Sequence, residues 1–193
     1  MRKTKDHNRL ARERIVAALT ELMSTRDYAS ITITEITQKA GVSRMTYYRN
    51  YSSKEDILRK FMDDVGESIH KKIVEQHLHK DVYQYYYTLF DTLAEYAPLV
   101  NTALNAGLGG LILDCIARNM DLTFLGAGEQ REQEQEQDRE QYGRERYLLR
   151  YHAGAFFHVF IDWNRRGRLE SSAQMAKLCT DASTGKICFP DFS

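Results

Sequence analysis

The fold of this chain is decided by the stretch ITITEITQKAGVSRMTYYRNYSSKEDIL, residues 31–58. Thr32 and Glu35 have the spacing of a capping box, in which the hydroxyl accepts from one free backbone N–H and the carboxylate accepts from another. Gly41 stands where a tight turn favours a residue that tolerates positive φ, and Ser43 is a good N-cap for the next helix. The pattern predicts two short helices, 31–40 and 44–50, joined as a helix-turn-helix.

The second of these helices carries side chains that a purely structural helix does not normally expose. It presents hydrogen-bond donors and aromatic rings, namely Arg44, Met45, Thr46, Tyr47 and Arg49. In a helix-turn-helix the second helix enters the major groove of DNA, where such groups meet bases and phosphates. The pattern therefore favours a DNA-binding function.

The distribution of charge supports this interpretation, although the net charge of the whole chain is zero. Residues 1–60 contain 13 Lys and Arg against 7 Asp and Glu, which gives +6, and residues 61–193 contain 14 against 20, which gives −6. A basic N-terminal third is expected to face phosphates, while the acidic remainder has another role.

The flanking sequence predicts an all-α fold without convincing strands. Residues 1–9 are basic and polar and are expected to form a flexible arm before a first helix that ends near Arg26. Ser53 and Asp56 would cap a long linker helix, and later apolar helices follow at 82–96, after Pro98, and at 111–124, 147–163 and 171–182. Residues 126–146 are rich in Gln and Glu and are expected to form a solvated loop or a frayed helical extension.

The same stretch resembles the DNA-binding signature of the TetR/AcrR family of transcriptional regulators. The matching positions are Thr32, Ile36, Ala40, Gly41, Val42, Ser43, Tyr48, Tyr51, Lys54 and Leu58. Thr37 replaces the usual alanine, which loosens the packing slightly, and Tyr51 conservatively replaces the usual phenylalanine. The resemblance is specific over about residues 10–60, and it implies a three-helix DNA-binding domain, 1–56, followed by a helical ligand-sensing and dimerisation domain, 57–193.

The resemblance also implies roles for individual residues in binding a double-stranded DNA operator. Thr32 and Thr34 would contact phosphate at the start of the first short helix, and Ser43, Tyr47, Tyr48 and Lys54 would contact phosphate as well. Arg44, Met45 and Thr46 are the candidates for base contacts, Arg44 because a guanidinium pairs with guanine through two hydrogen bonds.

The C-terminal half resembles a sensor of an unidentified small-molecule effector. The candidate pocket residues are Tyr83, Tyr86, Tyr87, Phe90, Tyr96, Tyr151, His152, Phe156 and Trp163. Aromatic residues at helical spacing are more often core, so we expect only a subset to line a cavity. His152 and His158 are expected to be packing residues and not metal ligands.

The nearly all-apolar helix 147–163 needs cover on more than one side, which a second subunit would provide. With helix 171–182 it is expected to build a four-helix bundle in a homodimer, so that two reading helices meet a palindromic operator. Ligand binding would tilt the linker helix and lower operator affinity, as in a ligand-responsive repressor.

Other functions stay open at this stage. An enzyme is disfavoured because no known catalytic motif occurs, and we expect no metal and no cofactor. A TetR-like co-regulator or adaptor that acts through a protein partner is the main alternative, and an architectural DNA-binding protein is another. The absence of a long apolar segment predicts a cytoplasmic protein without membrane contact, whose Cys115, Cys179 and Cys188 are structural thiols.

Overall fold

The computed structural model describes residues 2–126 and 136–186, and within these ranges every regular element is helical. The α-helices of the described residues are α1 Arg2–Thr25, α2 Ile33–Ala40, α3 Arg44–Asn50, α4 Lys54–Glu75, α5 Val82–Ala94, α6 Ala97–Asn105, α7 Gly109–Phe124, α8 Glu136–Arg165 and α9 Ser172–Ser183. Short 3-10 turns precede α2 and α5, at Tyr28–Ser30 and Leu78–Lys80. The predicted all-α class is confirmed.

Two predictions about helix boundaries are corrected by the structure. Residues 2–9 continue α1 instead of forming a flexible arm, and an exposed ion pair of 3.1 Å between Arg9 and Glu13 supports this first part of the helix at i,i+4 spacing. The helix predicted at 147–163 begins earlier, at Glu136, so for residues 136–146 the predicted helical extension is confirmed and the alternative of a loop is wrong. Residues 127–135 of the same polar segment lie outside the described residues.

The described residues form two compact units that divide inside α4. The N-terminal unit runs up to Asp64 and includes Thr102–Gly109, and the C-terminal unit contains Val65–Asn101 and the described residues from Gly110 onward. The domain boundary predicted between residues 56 and 57 stays a prediction.

The core of the N-terminal unit is aliphatic with three buried tyrosines, Tyr28, Tyr47 and Tyr51. Ile15 and Leu19 of α1 pack with Ile36 of α2, and Tyr47 and Tyr51 close the α3 side, all of them at most 2% exposed. Apolar residues at i and i+4 place one continuous face of α1 against the core, which fixes the two short helices on it.

The C-terminal unit has an aromatic core. Phe90 of α5 makes edge-to-face contacts with Phe156 and Trp163 of α8, with ring centroids 5.1 and 5.3 Å apart. Phe156 and Phe160 stack at 5.8 Å, and the indole N–H of Trp163 donates to the carbonyl of Glu170 at 2.9 Å. Such ring pairs add stabilisation beyond their buried area, about 0.5–1.5 kcal/mol each.

Candidate nucleic-acid interface and ligand cavity

The start of α2 is fixed by the predicted capping box. The backbone N–H of Thr32 donates to the Glu35 carboxylate at 2.9 Å, and the N–H of Glu35 donates to the Thr32 hydroxyl at 3.3 Å. The Glu35 carboxylate also pairs with Arg26, and this pair, followed by the bonds from Thr32, lowers the pKa of Glu35 to about 2. The capping-box prediction is confirmed, and α2 is additionally attached to the end of α1.

The turn between α2 and α3 has the predicted conformation. Gly41 lies in the left-handed region at φ 63°, where a side chain would be strained, and its N–H donates to the Gln38 carbonyl at 3.2 Å. The Ser43 hydroxyl then accepts from the N–H of Thr46 at 3.0 Å and caps α3. The two helices therefore join as a helix-turn-helix in which the second one is short and capped.

One side of α3 faces solvent, and we call it the reader face. It consists of Arg44, Met45, Tyr48 and Arg49, all exposed, with Met45 at 73% and Tyr48 at 59%. The guanidinium of Arg44 donates to the hydroxyl of Thr34 on α2, which orients the arginine. A large apolar side chain, an aromatic ring and two guanidiniums on one exposed helix face form a surface suited to base and phosphate contacts.

Tyr47 is not part of the reader face, which corrects the prediction that it contacts phosphate. Its side chain is fully buried, and burial raises the pKa of its phenol to about 12. Its ring contacts Tyr48 edge-to-face at 5.3 Å and Tyr51 at 5.9 Å. Tyr47 therefore supports the exposed Tyr48 from below and cannot touch DNA from this position.

Lys54 lies at the start of α4, with its ammonium directed at the protein backbone. It donates to the carbonyls of Tyr28 and Ile31, both at 2.7 Å, and stands 4.5 Å from the centre of the Tyr28 ring. Lys60, further along α4, donates to the carbonyl of Asn50 at the end of α3, also at 2.7 Å. Two lysines of α4 thus hold the segments before α2 and after α3, and the predicted phosphate contact of Lys54 stays a prediction.

The other predicted DNA-contacting residues surround the reader face with partly used hydroxyls. Thr32 is exposed but donates its hydroxyl to Glu35 at 2.7 Å, and Thr34 is half-buried. Ser43 is exposed, and its hydroxyl lies 2.9 Å from that of the half-buried Thr46. Their DNA contacts stay predictions.

The C-terminal unit contains an open cavity of about 260 Å³ lined by α5, α7, α8, the end of α9 and the turn before α5. One part, which we call the apolar wall, consists of Val82, Tyr85, Met120, Phe124, Leu148 and Leu149. The other part, which we call the polar corner, consists of His79, Tyr86, His152 and Ser183.

Of the predicted pocket residues, Tyr86 and His152 line this cavity. Phe90, Phe156 and Trp163 are instead at most 4% exposed and belong to the aromatic core. Tyr83 and Tyr87 stack on each other at 6.2 Å, Tyr96 is half-buried, and Tyr151 is 70% exposed. The proposal of a ligand site at these residues stays a prediction, and the structure brings only two of them together at a cavity.

Several cavity residues could not be identified from the sequence. Met120, Leu148 and Leu149 read as ordinary apolar positions of amphipathic helices, and Ser183 is the last residue of α9. Arg49, although noted among the side chains of α3, was not among the predicted DNA contacts. The sequence did contain a signal for Arg49, because positions 44, 45, 48 and 49 have the i, i+1, i+4 and i+5 spacing of one helix face.

Other kinds of site have little support in the described part of the chain. No group of His, Cys, Asp and Glu in residues 2–126 and 136–186 is arranged to hold a metal ion. Cys115 and Cys179 are buried and form no disulfide, burial raises the pKa of Cys179 to about 11, and Cys188 lies outside the described residues. None of the described helices is long and apolar enough to cross a membrane.

Residues 15–61, which include the helix-turn-helix, match the family model described as "Bacterial regulatory proteins, tetR family". The HTH-type transcriptional regulator AlkX of Mycobacterium tuberculosis (strain ATCC 25618 / H37Rv) is 26% identical over 68 residues, which are 33% of this chain and 32% of that protein. The uncharacterized HTH-type transcriptional regulator YxbF of Bacillus subtilis (strain 168) is 44% identical over 43 residues, 22% of this chain and 11% of that protein. The matches span a third or less of these relatives.

The whole fold is similar to that of a solved regulator. The fatty acid degradation regulator FadR from Bacillus halodurans superposes with a TM-score of 0.64 at 17% sequence identity, covering 92% of this chain and 96% of that chain. This likeness concerns the fold alone, and it extends beyond the N-terminal unit to the helices that surround the cavity.

Proposed function

Because the chain belongs to the TetR/AcrR family of DNA-binding transcriptional regulators, we propose that it is a ligand-responsive repressor which binds a palindromic operator as a homodimer. The observation that carries the proposal is the reader face of α3, a short capped helix that exposes Arg44, Met45, Tyr48 and Arg49 on one side. Met45 and Tyr48 lie beside two exposed guanidiniums on this face, a combination suited to contacts with bases and phosphates.

Within the reader face we assign different kinds of contact to different residues. Arg44 reads a base edge, since its guanidinium can reach two acceptors of guanine at once. Tyr48 and Arg49 bind phosphates, which positions α3 without carrying sequence information. The bond from Arg44 to Thr34 holds the guanidinium at the surface until DNA is bound.

A homodimer is supported by apolar side chains that α8 and α9 leave uncovered. Tyr147 and Tyr151 of α8 are 79% and 70% exposed, and Leu178 of α9 is 45% exposed. Pairing these helices with their copies would bury the exposed rings in a four-helix bundle and set two reader faces on one operator. Light scattering should give twice the chain mass, and a Tyr151→Glu, Leu178→Glu variant should give the mass of one chain. A wild-type chain that is monomeric at the concentration of half-maximal operator binding would refute this part.

The main experiment is the selection of bound duplexes from a random pool, followed by titration of the selected site over a range of salt concentrations. We expect a palindromic consensus. Arg44→Ala should weaken binding by about 1–3 kcal/mol and relax the preference at one position of each half-site. Tyr48→Ala should weaken binding to all sequences with little change in salt dependence, because the phenol is uncharged, whereas Arg49→Ala should also reduce the salt dependence.

A matched control is Arg166→Ala, which removes the same charge from an exposed position in the C-terminal unit. It should leave operator affinity unchanged. Recovery of no consensus, with binding that disappears at moderate salt, would refute specific regulation and favour the adaptor alternative. A reporter gene with the selected site in its promoter then tests the direction of control, and we expect its expression to fall when the protein is present.

The ligand response is assigned to the cavity of the C-terminal unit. Tyr86 of α5 and His152 of α8 line it, so an occupant contacts two helices that are separate in sequence. An effector that prefers the conformation with low DNA affinity binds the free protein more tightly than it binds the protein–operator complex. By linkage, the effector lowers the affinity of the protein for the operator by the same factor. Operator affinity should therefore fall when the cavity is filled.

A further inference from the structure

The cavity has two chemically different parts, and their arrangement limits what can fill it. At the polar corner, the hydroxyl of Tyr86 lies 2.9 Å from that of Ser183 and 3.4 Å from Nδ1 of His152. Nδ1 of His79 is buried and has no hydrogen-bond partner among the described residues. A buried ring nitrogen without a partner loses its hydration at a cost of about 1–3 kcal/mol, which a ligand could recover by hydrogen bonding.

The apolar wall contains both buried and exposed residues. Met120 and Tyr85 are 2% and 6% exposed, and the Tyr85 ring contacts Phe124 edge-to-face at 5.1 Å. Val82, Phe124 and Leu148 are 40%, 43% and 57% exposed and form an apolar rim around the opening. Water on such a surface is displaced favourably by hydrocarbon.

The described residues that line the cavity include no lysine, arginine, aspartate or glutamate. Burial disfavours the charged forms of three titratable groups that line it, namely Tyr85, Tyr86 and His152. Burial raises the pKa of Tyr85 and Tyr86 and lowers the pKa of His152. A carboxylate or ammonium on a ligand would thus move from water into a cavity that offers no opposite charge, and such a transfer costs several kcal/mol.

The size of the ligand follows from the volume. An apolar cavity of about 150 Å³ accommodates benzene, which has six non-hydrogen atoms. By the same ratio, the 260 Å³ present here suit about ten such atoms.

We infer that the effector is a small uncharged amphiphile of about ten non-hydrogen atoms, with an aromatic or aliphatic body against the apolar wall and one hydroxyl or carbonyl at the polar corner. The inference rests on the proposed function in taking this cavity as the effector site. It names the chemical class of the effector and excludes fatty acids and other anions.

Three alkylbenzene probes of ten or eleven non-hydrogen atoms test this class by calorimetry on the full chain without DNA. They are para-butylphenol, butylbenzene and para-ethylbenzoate, which carry a neutral hydrogen-bonding group, no polar group and a negative charge, respectively. We expect the phenol to bind about tenfold more tightly than butylbenzene, the benefit of one hydrogen bond, and the benzoate to bind most weakly. Tighter binding of the benzoate, or no binding of any probe, would overturn the inference.

Two variants locate the binding. Tyr86→Phe should weaken para-butylphenol binding about five- to tenfold while leaving butylbenzene unchanged, because only a hydroxyl is lost. Tyr87→Phe is the matched control, since it removes the same group from an exposed ring of the same helix that lies outside the cavity. Leu148→Trp fills the mouth from a largely exposed position and should weaken both probes; unchanged binding in this variant would place the probes elsewhere.

A separate operator titration distinguishes the failure of this inference from the failure of the proposed function. Binding of the phenol with unchanged operator affinity would support the chemical class of the ligand and refute the coupling between effector binding and operator binding. Release of the operator by the benzoate and not by the phenol would refute the chemical class and support the coupling between effector binding and operator binding.

Discussion

The close approach of α4 and α7 at Gly66 gives a prediction that can be worked out in free energy. Gly66 is buried, and a Cβ added to it would lie 2.6 Å from Oδ1 of Asn119 and closer still to its Cγ and Nδ2. The amide of Asn119 donates to the Cys115 carbonyl at 2.9 Å, so moving it aside costs a hydrogen bond. Gly66→Ala therefore has two effects. It creates a steric conflict with Asn119, and it removes the backbone freedom by which glycine destabilises a helix.

The two effects have opposite signs. Alanine is favoured over glycine inside a helix by about 1 kcal/mol. Overpacking a closed contact costs about 1–3 kcal/mol, which includes the hydrogen bond of about 1 kcal/mol if Asn119 rotates away. The steric term is the larger one, so we expect Gly66→Ala to lower the free energy of unfolding by about 1 kcal/mol.

Urea unfolding followed by circular dichroism measures this change, and a second background separates the two effects. In an Asn119→Ala protein the space is open, so Gly66→Ala should there raise stability by about 1 kcal/mol, which makes the coupling energy about 2 kcal/mol. Gly110→Ala in α7, where an added Cβ would meet no atom within 4 Å, serves as the control and should not destabilise. If Gly66→Ala has the same effect with and without the Asn119 amide, the proposed contact between α4 and α7 is refuted.

Two further predictions concern the N-terminal unit. Because Arg26 lowers the pKa of Glu35 to about 2 from 4.5, the carboxylate stabilises the fold above pH 4.5, and this stability is lost as the pH falls from 4.5 toward 2. Thermal melts across this range should show a smaller acid-induced loss of stability in Glu35→Gln than in the wild type. An equal loss in both proteins would contradict the assignment. Lys54→Met should lower the free energy of unfolding by about 1–3 kcal/mol because the carbonyls of Tyr28 and Ile31 lose a charged donor. A smaller salt dependence of DNA binding without a lower melting temperature would show that Lys54 binds phosphate instead.

The sequence was sufficient for features that are set by neighbouring residues. The capping box of Thr32 and Glu35, the left-handed Gly41 and the Ser43 cap depend on spacings of three residues or fewer, and each was predicted correctly. Their hydrogen bonds join side chains to backbone groups only a few residues away, so local spacing was enough to identify them.

The sequence was insufficient where distant packing decides the outcome. Tyr47 and Tyr48 are adjacent and identical, yet one is fully buried and the other 59% exposed, because only the docking of α3 on α1 and α2 selects the inward side. The same limit applies to the cavity, whose wall is drawn from α5, α7 and α8. No local pattern distinguishes Tyr86, which lines it, from Phe90, which is one turn away in the core.

The single tryptophan of the chain has a practical consequence. Trp163 is 4% exposed among the rings of the C-terminal unit, whereas the N-terminal unit carries tyrosines and no tryptophan among its described residues. Its emission is therefore an intrinsic optical reporter of one half of the molecule. Loosening of the aromatic core would shift that emission to the red, so the unfolding of this half can be followed without any label.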